Sequence, residues 1–215
     1  MSVTGVWAVG TVSDRTLDEL LRAAVRASPP VPGPSYVHVP EGLAWWRGKG
    51  TESLFSASTD SPGAWVAGED AFRLSAFFDS CYDDSEPVEA LGDAVMGAFP
   101  PEGDEGLFAA VTRKAGPFSA LAYALGPEAA QLLPGWFGDF LLRADEVRAR
   151  LPEAEEALAL TGPRRRDVVE RIDQWMTALG DSPDHDAEEL LDGPLRVLHH
   201  AARTGLGAAG VVRWY

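Results

Sequence analysis

The chain has 215 residues, 46% hydrophobic and 24% charged, proportions that exclude disordered, collagen-like and low-complexity proteins. Its 33 acids against 18 bases give a net charge of −15, which argues against gripping nucleic acid or an anionic membrane through basic residues. A lone cysteine, Cys81, excludes a disulfide-stapled scaffold.

The charge is concentrated. Residues 1–50 sum to +1 and residues 111–215 to −4, whereas residues 51–110 carry 13 acids and one base, Arg73, for −12. Two readings stay open for that stretch: a solubilising surface or a surface that faces a basic partner. The start of the chain shows no basic, apolar leader pattern, and no window approaches the roughly 20 apolar residues of a membrane span. A cytoplasmic setting is expected. Arginine outnumbers lysine 16 to 2, as in bacterial proteins from GC-rich genomes.

In chain order, Val3 to Val12 reads as a strand, and Thr16 and Glu19 fit a capping box for a helix burying Leu17, Leu20, Leu21, Ala24 and Val25. Ser28-Pro29-Pro30 ends it. Tyr36 to Val39 alternates like a short strand. Trp45 and Trp46 fall in a brief apolar run within the least regular part of the chain, and Trp65 in a possible strand. From Glu69 a helical stripe of Phe72, Ala76, Phe77 and Phe78 runs toward Cys81. A second helix starts near Glu86-Pro87, with Val88, Leu91, Val95 and Met96 inward.

Leu107 to Val111 is too short for periodicity to choose between helix and strand. Gly-Pro pairs bracket Phe118 to Leu125, and Phe137 to Leu142 reads as a strand. Helices are expected over Ala144–Leu151 and Pro152–Leu160. A strong one opens at Thr161-Gly162-Pro163, burying Val168, Val169, Ile172, Trp175, Met176 and Leu179 before Gly180. A Gly193-Pro194 break precedes a helix over Leu195–Thr204, and Val211 to Tyr215 forms a last strand. Strands at both ends imply one α+β domain over 1–215, helix-rich, with a small mixed sheet joining the termini.

Motifs for chemistry are sparse. Gly205 to Gly210 matches GxGxxG, but it follows a helix and precedes a strand, the reverse of a pyrophosphate cradle; close packing of a terminal strand explains it. His199 and His200 are adjacent on a helix and diverge by about 100°. Asp184-His185-Asp186 lacks metal-ligand spacing, and Asp186 serves equally as an N-cap. Cys81 lies among Asp79, Asp83 and Asp84, which disfavour a thiolate. Arg164-Arg165-Arg166 opposes the macrodipole at its helix start, with Asp167 or Glu170 as compensating carboxylates. No metal site or cofactor is expected.

The two ends of the chain, the strand and capped helix from Val6 to Ala27 and the late helix and strand from Leu195 to Trp214, resemble the small bacterial YfbM-like proteins. The resemblance implies an α+β fold and a cytoplasmic setting, and no catalytic residues. Two functions are carried forward. The first is a non-enzymatic binding or inhibitory protein, immunity-like, that meets a basic protein with the Glu69–Glu105 region; its candidate contacts are Asp79, Asp83, Asp84, Glu86, Trp45 and Trp46. The second is an enzyme with a site assembled from distant residues, drawing on His38, Tyr123, Asp139 and His199.

Overall fold

A computed structural model describes residues 4–27, 39–50, 52–82, 86–180 and 186–215, with the backbone alone for 24–27, 39, 86 and 87. The expected strand at Tyr36–His38, together with Asp83, Asp84, Asp184 and His185, lies outside the described residues. Strands β1 (Thr4–Val12) and β6 (Gly207–Trp214) are the antiparallel centre of a four-stranded sheet. Their flanks are β4 (Leu107–Arg113) and β5 (Phe140–Leu142), in the order β4-β1-β6-β5. The fold is α+β as expected, with β1 and β6 paired in one sheet, but that sheet is antiparallel throughout and not mixed.

The alternation of side chains along each strand builds a core on each face of the sheet. Trp7 and Val9 of β1, Phe108 of β4 and Val212 of β6 belong to the larger one; Val12, Ala209 and Val211 belong to the smaller. Helix α5 (Pro117–Leu125) sits in the larger core with every residue buried, so its apolar run has no polar face to betray a period. Trp7 meets Phe108 and Phe118 edge-on, at ring separations of 5.1 and 5.2 Å.

Helices α7 (Ala144–Leu158), α8 (Gly162–Leu179) and α9 (Ala187–Thr204) enclose this side. The short α6 (Pro127–Ala130) follows α5. Helices α2 (Val39–Lys49) and α3 (Glu69–Asp79) and the hairpin of β2 (Phe55–Ala57) and β3 (Trp65–Ala67) complete it. The smaller core is covered by α1 (Asp14–Ala27) and α4 (Glu86–Met96), through Leu17, Leu91 and Val95.

Several expectations change. Val39 to Lys49 is helical where a strand end and an irregular run were expected. Ser13, not Thr16, opens α1: its hydroxyl accepts from the Thr16 N–H at 3.1 Å, and Glu19 pairs with Arg15 instead of closing a capping box. On α3 the buried stripe is Ala71, Leu74, Phe77 and Phe78, while Phe72 is 59% exposed. Leu107 to Arg113 is a strand, and the strand expected from Phe137 begins only at Phe140.

Pro152 and Pro194 sit inside α7 and α9 and break neither helix. Each forfeits one helical hydrogen bond, but packing on both sides holds the turns: Ala154 and Val197 are fully buried. Asp186 is the N-cap of α9, its carboxylate accepting from the Glu188 and Glu189 N–H groups at 3.0 Å each. Gly205 ends the helix in the left-handed region at φ 72°. Small residues in 205–210 do serve close packing: a side chain at Gly210 would overlap the Phe140 ring.

Candidate functional site

The acidic stretch of the sequence does not fold into one element. Its described carboxylates fall on α3 and the segment before it, on the outer side of α4, and on the loop leading into β4. Of these ten, nine are exposed and only Asp70 is half-buried. Lys49 pairs with Asp70 at 2.6 Å and Glu52 at 3.6 Å, and Arg203 and His200 with Glu105 at 2.9 and 3.1 Å. Asp60, Glu69, Asp79, Glu89, Asp93, Glu102 and Asp104 make no ion pair among the described residues.

The candidate contacts separate. Trp46 is 3% exposed and packs edge-on against Phe78 at 5.1 Å, so it is core and not a contact surface. Trp45 is half-buried under the Arg73 guanidinium, 4.4 Å above its ring, which occupies the one base of the acidic stretch. Asp79 is exposed at the end of α3, and desolvation by the surrounding protein pushes its carboxyl up. Glu86 opens α4.

The acids of the loop into β4 border a groove the sequence did not single out. β4 is an edge strand, and a trough of about 710 Å³ runs beside it, lined by Leu107, Ala109 and Val111 and rimmed by Glu102, Asp104, Glu105 and Glu189 against one base, Arg196. Ala109 is exposed and Val111 is 59% exposed.

The direction of the β4 main chain follows from the ladder. Thr4 exchanges both hydrogen bonds with Tyr215, at 2.8 and 2.9 Å. By antiparallel alternation Gly5, Trp7 and Val9 then turn their polar groups to β4, and the Thr11 N–H donating to the Gly106 carbonyl at 2.8 Å has the same phase. Their opposite residues are Thr112, Ala110 and Phe108. The N–H and C=O groups of Ala109 and Val111 therefore point into the trough.

The residues named for catalysis are not brought together. His38 lies outside the described residues. Tyr123 is 1% exposed, with the Arg171 guanidinium 4.2 Å over its ring. His199 stands on the outside of α9, 3.2 Å from Glu155. Among the described residues no three His, Cys, Asp or Glu side chains converge. Cys81 is buried and its thiol donates to the Phe77 carbonyl at 3.3 Å; burial, more than the neighbouring acids invoked from sequence, pushes its pKa up to about 12.

Of the three that are described, Asp139 lines a cavity of about 310 Å³, walled also by Leu91, Val95, Phe140, Leu141, Val211 and Arg213. It follows a two-residue hairpin in which Phe137 (φ 47°) and Gly138 (φ 92°) both take positive φ while Trp136 and Asp139 exchange main-chain hydrogen bonds at 3.0 Å, the pattern of a type I′ turn. Trp136 is 43% exposed, and its indole N–H donates to the Cys81 carbonyl at 3.1 Å. Burial raises the Asp139 carboxyl to about 6 against a hydrogen bond from the Val212 N–H.

Arg165 of the basic run binds across to α9, at 2.8 Å from Asp192 and 2.9 Å from Glu188, and not to Asp167 or Glu170. No described helix is long and apolar enough to cross a membrane. Comparison with protein-family models, with curated proteins and with solved structures returns no match to the chain.

Proposed function

We propose that the protein acts by binding, as an immunity-like or inhibitory protein whose acidic surface takes a basic protein partner in the bacterial cytoplasm. The observation that carries this reading is the set of seven exposed carboxylates between Asp60 and Asp104 with no ion pair among the described residues. Unpaired surface charge of one sign steers an oppositely charged partner and selects against others. An enzymatic reading has one observation in its favour, the Asp139 carboxyl at the edge of an apolar cavity. It is the weaker reading, because Tyr123 and His199 stand elsewhere. The YfbM-like resemblance of the chain's ends is compatible with either.

The test is affinity purification from the native host at an ionic strength of about 0.1 M and again at about 1 M, where the Debye length falls to about 3 Å. The captured protein is then recombined in purified form. A basic protein that rebinds, and loses affinity steeply as salt rises, is expected. A partner whose affinity ignores salt, or no partner under either condition, contradicts the reading.

A further inference from the structure

We infer that the free edge of β4 is the docking surface, and that it takes an extended, basic segment of the partner as a fifth strand of the sheet. The inference rests on the proposed basic partner and adds where and how it binds. Three independent features meet on this edge. The polar main-chain groups of Ala109 and Val111 are directed outward with no described strand beyond them, and such groups are the template for strand addition. The side chains between them are small and apolar, so another backbone can approach to the roughly 4.8 Å of a ladder. The rim is acidic: Glu189 pairs with Arg196 and Glu105 with Arg203, while Glu102 and Asp104 are exposed and make no ion pair among the described residues.

The same geometry sets the character of the incoming strand. Leu107, Ala109 and Val111 project to one side of the sheet, because alternate residues share a face, while Glu189 of α9 lines the trough as well. An alternating sequence, apolar toward Val111 and basic toward the rim where Glu102 and Asp104 stand unpaired among the described residues, satisfies both. A second copy of this chain is a poorer occupant, since it would bring another Glu102, Asp104 and Glu105 against the first set.

The probe is the peptide Lys-Val-Lys-Val-Lys-Val-Lys, as long as β4, titrated into the full chain by fluorescence anisotropy alongside its Glu-for-Lys counterpart. Val111→Pro removes an outward N–H and leaves both the charge and the β1 ladder intact. Saturable binding of the basic peptide alone is expected, weakened about tenfold or more by Val111→Pro and to a smaller, salt-dependent extent by Glu102→Gln. Circular dichroism and an unchanged denaturation midpoint identify a folded variant. Equal binding by the wild type and a folded Val111→Pro chain overturns strand addition; a purified basic partner that still binds both in a salt-dependent way leaves the broader binding reading standing. Binding of neither peptide, or self-association of the chain that Val111→Pro abolishes, also overturns the inference.

Discussion

Asp139 and Arg213 divide between them the two main-chain polar groups of Val212. Strand β5 has not yet begun at Asp139, so β6 runs past it with an edge to satisfy. The Asp139 carboxylate accepts from the Val212 N–H at 2.7 Å, and the Arg213 Nη1 donates to the Val212 carbonyl at 2.8 Å. Arg213 Nη2 then reaches the Val88 and Glu89 carbonyls of α4 at 2.8 and 3.3 Å. One carboxylate and one guanidinium thus stand in for a missing strand and tie α4 to the sheet.

That arrangement requires Gly92. A Cβ there would overlap the Arg213 guanidinium. Gly→Ala inside a helix ordinarily stabilises by about 0.5–1 kcal/mol, but overpacking costs about 1–3 kcal/mol and the displaced guanidinium loses its carbonyl partners. Gly92→Ala is expected to lower stability by about 1–3 kcal/mol in urea denaturation. A rise in the midpoint would contradict the contact.

The Asp139 carboxyl titrates near 6 in the fold against an ordinary value of 3.8. The folded protein holds this proton more tightly than the unfolded chain, so the group's stabilising contribution is complete below about pH 4 and fades as pH rises through 6. Asp139→Asn keeps an oxygen for the Val212 N–H and has no charge to bury. Its stability relative to the wild type should therefore climb between pH 4 and 7. Parallel profiles over that window would refute the burial of the charge.

Phe137 holds a left-handed backbone at φ 47°, which costs a non-glycine residue about 1–2 kcal/mol. Its ring lies 5.6–6.1 Å from Phe77, Phe78 and Phe118, and losing a packed Phe costs about 3–5 kcal/mol. The ring wins. Phe137→Gly should destabilise by about 1–3 kcal/mol in a thermal or urea melt; a gain would mean that backbone strain dominates.

Cys81 offers a direct check of core placement. A buried thiol raised to about 12 carries almost no thiolate at neutral pH. A disulfide reagent should label it only as fast as the protein unfolds, and rapid labelling of the native chain would place it at the surface.

The terminal strands, α8 and the cap at Asp186 were legible because each is a local event: a short alternation, a stripe of three and four, a carboxylate before a helix. α5 was not, since burial on all sides erases its period. Pro152 and Pro194 misled for the opposite reason, a local penalty outweighed by tertiary packing. The concentration of acids along the chain was visible, but its distribution over α3, α4 and the loop before β4 depends on topology. So does the free edge at Ala109 and Val111, whose only local sign was a short apolar run, Leu107 to Val111, that periodicity left undecided. Asp139 could be singled out as one acid near an apolar segment; nothing local showed that it replaces a strand.

Hydrogen–deuterium exchange of the full chain, with and without the Lys-Val peptide at saturation, tests strand addition at β4 most directly. The amides of Ala109 and Val111 should slow on binding, while those of Phe108 and Ala110, directed to β1, should not change. A saturated complex in which Ala109 and Val111 exchange as in the free protein, with protection appearing on α3 or α4 instead, would contradict it.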